Sequence, residues 1–337
     1  MNCRLLVPSV LTLGALGLAA CGEDTTQPNP PAAQVPTGPE AVVASNTWLT
    51  RRDMPLDLVS QAAAVVPNAQ GQSILYVIAG RKVDAFPSGQ VGEVRAYNVA
   101  TNTWNYSRRD MPAALYATNG AGVINGKIYV SGGLTGNRSR PPSPALFVYD
   151  PAKNTWTQKR NMPEGGAEGV TGVIQDKLYV VTFSRGLPDG VANFFRYDPT
   201  KDSWTRLPSP TNYFSLGGGG AVLYGKLYLI AKPVLVYDPA TNQWTSKGPL
   251  PGDLTGAPVA VGGKLYLFGA DTQIFTGHRG IFIYHPLTDS WTQLPLLTTL
   301  GSGNPAELAA TRVFLNGQPR VEVVGGSRPG NNLQYIP

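Results

Sequence analysis

Arginine and lysine residues stand at comparable places throughout this chain, and their side chains are the best candidates for recognising a ligand. A guanidinium group binds a carboxylate through two parallel hydrogen bonds, so arginines gathered on one surface would bind an acidic ligand. The candidates for such a surface follow short apolar runs and are Arg81, Arg138, Arg185, Arg279 and Arg328. Two adjacent aromatic residues, Tyr213 and Phe214, are candidates either for stacking on a sugar or peptide or for plugging a loop.

Two glutamates are the candidates for catalysis. Glu168 and Glu307 each stand at the start of a run rich in small residues, and a carboxylate held beside arginines can act as a general base. A structural ion pair is the alternative. We favour the structural role, because no catalytic motif surrounds either residue.

The scarcity of other reactive residues excludes several classes of enzyme. The chain has two histidines, His278 and His285, and two cysteines, Cys3 and Cys21, which is too few for the usual zinc or copper sites. The glycines at 217–220 are not followed by the Lys-Ser/Thr pair of a phosphate-binding loop. We therefore expect neither a metal nor a cofactor. A net charge of +6 without any block of like charges argues against nucleic acid as a partner.

A repeated segment must position these side chains. In residues 149–156 an apolar run ends at Tyr149, Asp150 and Pro151 follow, and Trp156 stands 7 positions after the tyrosine. The same spacing recurs in segments that begin at Tyr97, Tyr197, Tyr237 and Tyr284. Because Asp and Pro favour tight turns, each segment is predicted to be a strand, a turn and a second strand.

Two further apolar runs precede each of these segments, and they complete a four-stranded unit. The runs are separated by short turns such as Asn125-Gly126, which is typical of a β-hairpin. The first run of each unit is rich in Gly, Ala and Val, as expected where strands crowd around a central axis. After the N-terminal segment, no stretch has a sustained helical period.

These motifs resemble the kelch repeat, which has Gly-Gly after its second strand and Tyr-Asp-Pro before its tryptophan. The glycine pair is intact at Gly132-Gly133 and Gly325-Gly326 and altered in the other units. The resemblance covers about residues 45–337. It implies an all-β protein, a six-bladed kelch-type β-propeller with four-stranded blades.

The two ends of the propeller are expected to meet. Trp48 has no tyrosine before it, and the chain ends at Tyr335-Ile336-Pro337. We predict that the strand containing Trp48 lies beside the strand ending at Tyr335. This N-terminal strand would complete the sixth blade and remove the open edges of the ring.

The blade order also predicts where the cations lie. Connections after the second and fourth strands of a blade emerge on one face, so the five arginines named first would surround its mouth. Cations also follow the fourth strands, at Arg51, Arg52, Arg108, Arg109, Lys159 and Arg160. A ring of cations would attract anions. The alternative is that these charges recur only because the repeat does.

The N-terminal segment predicts a membrane tether. Residues 1–20 have a basic residue followed by a short apolar run, typical of a signal peptide. The sequence Leu18-Ala19-Ala20-Cys21 resembles a bacterial lipobox, which implies cleavage before Cys21 and its acylation. Gly22 then implies sorting to the outer membrane. Residues 21–44 contain five prolines and are predicted to be an extended tether; an ordinary signal peptide is the alternative.

Two functions from different classes fit these features. The first is a binding module at the cell envelope that captures a partner protein, an acidic glycan or an acidic peptide at a cationic mouth. Its membrane contact would be the lipid anchor alone. The second is a carbohydrate-active enzyme resembling a sialate mutarotase or epimerase, with Glu168 or Glu307 as its acid or base.

Overall fold

The computed structural model describes residues 45–54, 58–82, 89–136, 140–183, 192–211, 219–252, 254–271, 279–294, 308–325 and 332–337. These residues form a β-propeller of six four-stranded antiparallel sheets, the blades, which confirms the predicted fold. No helix in the described ranges has the length and apolar character needed to cross a membrane.

Two short strands precede the first complete blade: β1 (Thr47–Thr50) and β2 (Leu58–Val59). Blade 1 contains β3 (Ala62–Pro67), β4 (Ser73–Ile78), β6 (Val94–Asn98) and β7 (Thr103–Asn105). Between them, β5 (Arg81–Lys82) pairs with β2 in a separate two-stranded ribbon. Blade 2 contains β8 (Ala121–Ile124), β9 (Lys127–Ser131), β10 (Leu146–Asp150) and β11 (Thr155–Lys159).

The next two blades repeat this order. Blade 3 contains β12 (Ala167–Ile174), β13 (Lys177–Phe183), β14 (Ala192–Asp198) and β15 (Ser203–Arg206). Blade 4 contains β16 (Gly220–Leu223), β17 (Lys226–Leu229), β18 (Leu235–Asp238) and β19 (Gln243–Ser246).

The last two blades complete the ring. Blade 5 contains β20 (Leu254–Val261), β21 (Lys264–Asp271), β22 (Arg279–His285) and β23 (Ser290–Gln293). Blade 6 contains β24 (Leu308–Leu315), β25 (Gln318–Gly325), β26 (Asn332–Ile336) and, as its outer strand, β1 from the other end of the chain.

The ring closes where the sequence predicts. Trp48 pairs directly with Tyr335 across β1 and β26, and the centroids of their rings are 5.1 Å apart. This closure confirms the prediction of six blades and pairs the outer edge of β26 with β1. It also joins residues that are far apart in sequence, which stabilises the ring against opening.

The core consists of apolar layers between neighbouring blades. All six residues of β4 are buried, because both faces of a blade are covered by its neighbours. Each blade also buries one tyrosine completely at the end of its third strand: Tyr97, Tyr149, Tyr197, Tyr237, Tyr284 and Tyr335. The outer strands carry the tryptophans, which stack on these tyrosines at about 5 Å between ring centroids.

The same tyrosines explain the Asn or Asp that stands five positions later in the repeat. Tyr149 donates a hydrogen bond from its hydroxyl to Oδ1 of Asn154 at 2.6 Å, and Asn154 has φ of +53°. A left-handed backbone is tolerated best by Gly, Asn and Asp. The equivalent residues also have positive φ and accept the hydroxyl of their tyrosine: Asn46, Asn102, Asp202, Asn242 and Asp289.

In blades 1 to 5 this turn or its tryptophan also bonds to the preceding blade. The Asn154 Oδ1 accepts the backbone N–H of Arg109 at 2.8 Å, and the Trp156 indole donates to the Arg109 carbonyl at 2.8 Å. Arg109 follows the outer strand of blade 1. We call this set of three hydrogen bonds the interblade latch. In blade 4 the latch keeps the bond from Tyr237 to Asn242 and the indole bond to the Pro208 carbonyl, but it lacks the backbone bond, because proline has no N–H to donate.

Candidate ligand-binding mouth

The face that carries the connections after the second strands is the predicted ligand-binding mouth, and Arg81 is placed there. Arg81 lies in β5 and pairs with Val59 of β2. Its guanidinium carbon is 5.7 Å from the centroid of the Tyr116 ring, and the residue is half-buried. The β2–β5 ribbon is an addition to the repeat, and it holds this arginine on an ordered backbone.

The connections of blades 1 and 2 form one continuous wall at this mouth. The Gln90 side chain donates to the Gly136 carbonyl at 2.8 Å, and Tyr116 and Leu134 exchange backbone hydrogen bonds of 3.2 and 2.8 Å. Gly132 has φ of +66°, and a Cβ there would lie 2.2 Å from the Gly166 carbonyl oxygen. Glycine is thus required at this position by the close approach of two connections.

Of the other predicted ligand-binding residues, only Arg279 lies within the described residues. Arg138, Arg185, Arg328, Tyr213 and Phe214 lie outside the described residues, as do Glu307 and the acylation candidate Cys21. Arg279 is described through its backbone alone, which begins β22 opposite Ala270. The predicted ring of five arginines is therefore represented by Arg81 and by the backbone position of Arg279.

Glu168, the first catalytic candidate, lies in an irregular part of the inner strand of blade 3. The register of β12 shifts between Ala167 and Val170, and Glu168 has φ of +55°. Its backbone N–H donates to the Ala117 carbonyl at 2.8 Å, and the residue is half-buried. A bulge and a left-handed non-glycine residue are features that recur beside functional sites.

The cations after the fourth strands lie at the outer wall, which the sequence did not reveal. The backbones of Arg52, Arg109 and Arg160 belong to interblade latches. The Arg51 guanidinium donates to the Tyr97 hydroxyl at 3.0 Å and to the Val99 carbonyl at 2.5 Å. These contacts join neighbouring blades at their outer turns; the prediction that these cations add to the ring around the mouth stays a prediction.

Arg108 has the same structural role at the next interface. Its guanidinium carbon is 5.9 Å from the centroid of the Tyr76 ring. Burial raises the pKa of the Tyr149 hydroxyl. The charge of Arg108 opposes that rise, so Arg108 acts electrostatically on the buried tyrosine of the following blade.

A polar cluster lies at the edge of the face that carries the mouth, between blades 2 and 3. Arg206 forms an ion pair with Glu164 and donates to Asn193 Oδ1 at 2.8 Å. The Asn193 amide donates to the second Glu164 oxygen at 2.9 Å, and the Arg206 guanidinium carbon is 5.0 Å from the Phe195 ring centroid. Each charged group has a partner within the cluster, which identifies the cluster as structural.

On the opposite face, the lysines that flank the hairpin turns are paired with acids of their own blades. Lys177 contacts Asp198 at 2.9 Å and Lys226 contacts Asp238 at 2.8 Å. Hydrogen bonds from Thr200 and Lys177 hold the pKa of Asp198 well below its usual range. These aspartates belong to the Tyr-Asp-Pro motif, so the motif also neutralises Lys177 and Lys226.

The axis of the propeller contains a cavity of about 200 Å³. All six inner strands line it, mainly with Ala, Val and Gly side chains. Among its described lining residues, Arg312 of β24 is the single charged one. Sequence reasoning missed this residue, because the longer hairpin of blade 6 shifts it out of alignment with the other inner strands. An alignment of the hairpin sequences on their second strands would have revealed Arg312.

Within the described ranges, no group of three or more His, Cys, Asp or Glu residues is placed to hold a metal ion. His285 lies at the end of β22, where a ring nitrogen is 3.0 Å from the Thr292 hydroxyl oxygen. The hydrogen bond with Thr292 gives the His285 side chain a partner within its own blade.

Comparison with known proteins agrees with the blade architecture. The family model described as the kelch motif matches residues 117–163, which run from the inner strand of blade 2 to the connection after its outer strand. The chain is 27% identical to Kelch-like protein 15 of Homo sapiens over 228 residues, and 30% identical to Kelch-like protein terF of Aspergillus terreus over 227 residues. These findings support a kelch-repeat protein.

The kelch matches cover part of each protein. The aligned regions are 58% and 59% of this chain, and 37% and 48% of the two relatives, so the chain spans less than half the length of these relatives. Among solved structures, the chain is similar to the structure of YjhT, with a TM-score of 0.62 and 15% identity over 84% of this chain and 94% of that one. At this identity the similarity shows the fold alone.

Proposed function

We propose that this kelch-repeat protein is a binding module that captures an acidic partner at the mouth formed by its second-strand connections. The observation that supports the proposal is the β2–β5 ribbon, in which Arg81 pairs with Val59 and its guanidinium carbon is 5.7 Å from the centroid of the Tyr116 ring. A cation fixed on a concave surface attracts anions and orients them. The similarity to kelch-like proteins supports a role in protein interaction.

The place of action that we propose is the cell envelope. Residues 1–20 would act as a lipoprotein signal peptide, and acylated Cys21 would anchor the protein through the tether at 21–44. The lipid anchor is the one membrane contact in this proposal. Globomycin, which inhibits the lipoprotein signal peptidase, should cause the precursor to accumulate, and Cys21→Ser should release the protein from membranes. Membrane retention of the Cys21→Ser variant would exclude the anchor.

Binding to arrays of acidic and neutral peptides and glycans, at low and at physiological salt, tests the proposed mouth. We expect selective and salt-sensitive binding of acidic ligands that falls at least tenfold in Arg81→Gln and much less in Arg81→Lys, because the charge remains. Lys153→Gln, which removes one exposed charge from an outer turn, is the matched control. Equal binding of neutral ligands, or equal loss in the control, would refute the proposal.

A carbohydrate-active enzyme is the second candidate, and the backbone of Glu168 favours it. The support for this candidate is the left-handed φ of Glu168 and the bulge at the start of β12, the inner strand of blade 3. A catalytic Glu168 would lose turnover in Glu168→Gln while ligand binding survives. If Glu168→Gln lowers the thermal stability and the wild type shows no turnover, Glu168 is structural.

A further inference from the structure

Three interblade latches place an arginine at the same position, and we call Arg52, Arg109 and Arg160 the latch arginines. The backbone carbonyl of each accepts the indole N–H of the tryptophan in the following blade. The backbone N–H of each donates to the Asn or Asp of that blade's outer turn, between its third and fourth strands. Gly248 donates its N–H at the same position in the latch of blade 5. The latch therefore needs main-chain groups alone, and it does not explain the three arginine side chains.

The latch arginines are exposed. Within the described ranges, none of their guanidinium groups forms an ion pair or a hydrogen bond. Arg51 differs from them, because its guanidinium donates to a tyrosine hydroxyl and a carbonyl of blade 1. Asp53 and Asp110 follow two of the latch arginines and offset part of their charge, whereas the uncharged Asn161 follows the third. Three guanidinium groups are thus available to an anion from solvent.

The latch arginines occupy one side of the ring. They lie at three successive interfaces, from blade 6 to blade 1, blade 1 to blade 2 and blade 2 to blade 3. The next two latches have Pro208 and Gly248 at this position. Because the outer strands form the circumference of the propeller, the row of charges follows a convex curve. A flat membrane would meet only part of a convex row, whereas a flexible linear polymer can follow all of it.

An exposed tyrosine beside this row favours a sugar polymer. Tyr106 directly follows the outer strand of blade 1 and is 49% exposed. Burial raises the pKa of its hydroxyl and the charge of Arg52 opposes the rise, so the two side chains are within electrostatic reach. An aromatic ring packs against the apolar face of a sugar, and a guanidinium binds a carboxylate. The exposed residues of β11, by contrast, offer no apolar core for a protein interface: Thr155, Thr157 and Gln158.

We propose that the latch arginines and Tyr106 form a second binding surface, which holds an acidic polysaccharide along the rim of the propeller. Neighbouring strands are about 4.8 Å apart, so a blade of four strands is about 14 Å deep and adjacent latches are at least about 15 Å apart. A chain long enough to reach two or three latches gains affinity, because each further contact becomes intramolecular. The surface is independent of the proposed mouth, because it does not include Arg81 or Tyr116.

Calorimetric titration with polygalacturonate, at a series of salt concentrations, tests the surface. The fully methyl-esterified polymer has the same sugar backbone without the charge, and it should bind at least tenfold more weakly. A galacturonate trimer, which is too short to join two latches, should also bind at least tenfold more weakly. In the triple variant Arg52→Gln, Arg109→Gln, Arg160→Gln, polymer binding should fall at least tenfold and depend less steeply on salt, because fewer counterions are released. Its melting temperature should stay unchanged, because the latch uses the backbone alone.

A matched triple variant removes three charges elsewhere. The substitutions Lys127→Gln, Lys177→Gln and Lys226→Gln lie where second strands begin, and together they should leave polymer binding nearly unchanged. Tyr106→Ser should weaken binding without changing its salt dependence.

Three results would overturn the proposal. The first is equal binding of the charged and the neutral polymer, and the second is full binding in the folded arginine variant. The third is an equal loss in the lysine variant, which would show attraction to the overall charge alone. Arg81→Gln separates this surface from the mouth. It should retain polymer binding, and a loss as large as that of the arginine variant would assign the polymer to the mouth and overturn the rim site.

Discussion

Replacing Glu322 by glutamine should make the protein more stable at alkaline pH, and the reason lies at the interface where the ring closes. Glu322 of β25 is completely buried. In the other five blades its place is taken by a buried tyrosine: Tyr76, Tyr129, Tyr179, Tyr228 and Tyr266. Blade 6 thus presents a carboxyl group to blade 1 where the other interfaces present a phenol ring.

The surroundings of Glu322 explain its protonation. Gln334 donates to one carboxyl oxygen at 2.9 Å, while the other oxygen has no hydrogen-bond partner among the described residues. Burial raises the pKa of Glu322 to about 7, although the Gln334 hydrogen bond and the charge of Arg51 oppose the rise. Across the interface, Glu322 acts electrostatically on Tyr97, whose pKa burial raises to about 12. Near neutral pH, therefore, Glu322 is the group at this interface that changes charge.

The magnitude follows from linkage. The folded-state pKa of about 7 exceeds the ordinary value of 4.5, so the folded protein holds this proton more tightly than the unfolded chain does. Stability is then greatest below pH 4.5 and falls as the pH rises through 7. At about 1.36 kcal/mol per pKa unit, the full difference is about 3 kcal/mol. Most of it should appear between pH 5 and pH 8.

Urea-induced unfolding at a series of pH values, followed by tryptophan fluorescence, measures this effect. The free energy of unfolding of the wild type should fall by about 2 to 3 kcal/mol relative to Glu322→Gln between pH 5 and pH 8. Other titrating groups contribute equally to both proteins and cancel in the difference. Asp176→Asn, at an exposed turn, should run parallel to the wild type. Parallel curves for Glu322→Gln and the wild type would refute the reasoning.

Two further predictions concern the latch and the glycine turns. Asp202→Ala should lower the free energy of unfolding by about 1 to 3 kcal/mol, because Tyr197 and a backbone N–H of the preceding blade lose their acceptor. In the same urea assay, Asp202→Asn should lower the free energy of unfolding much less, and equal losses in the two variants would contradict the latch. Gly132→Ala should lower the melting temperature far more than Gly126→Ala, because a Cβ at 132 meets the Gly166 carbonyl and a Cβ at 126 meets nothing within 4 Å. Both glycines have a similar positive φ, so equal shifts of the melting temperature would contradict the role of close approach.

The sequence alone predicts most of the fold, because the repeat encodes local interactions. The spacing from Tyr149 to Trp156 is the spacing of two paired residues across one turn, and the structure pairs them directly. The unmatched Trp48 likewise predicts the closing strand, because an outer strand needs a partner with a tyrosine at the right position. Period-two strands and their turns follow from neighbouring residues, and these are visible in one dimension.

The roles of the charged residues were less accessible to the sequence. Arg51 and Arg108 follow outer strands, and connectivity alone predicts that they reach the mouth. The twist that accumulates across each blade turns the outer strand along the rim, so its end meets the outer turn of the next blade. Strand order specifies which face a connection leaves from, but it does not specify the radius at which each residue lies.

The positions of Arg312 at the centre and of Glu322 at the closing interface could not be predicted from strand order either. The types of these residues were visible in the sequence, but their positions depend on which residue of a neighbouring strand each one pairs with. Register and blade packing place Arg312 beside the axial cavity and Glu322 in a slot that holds tyrosine elsewhere. The sequence by itself determined the repeating unit, the number of blades and the closure of the ring. The environments of individual charges were decided by the tertiary structure, because burial and electrostatic potential depend on contacts between blades.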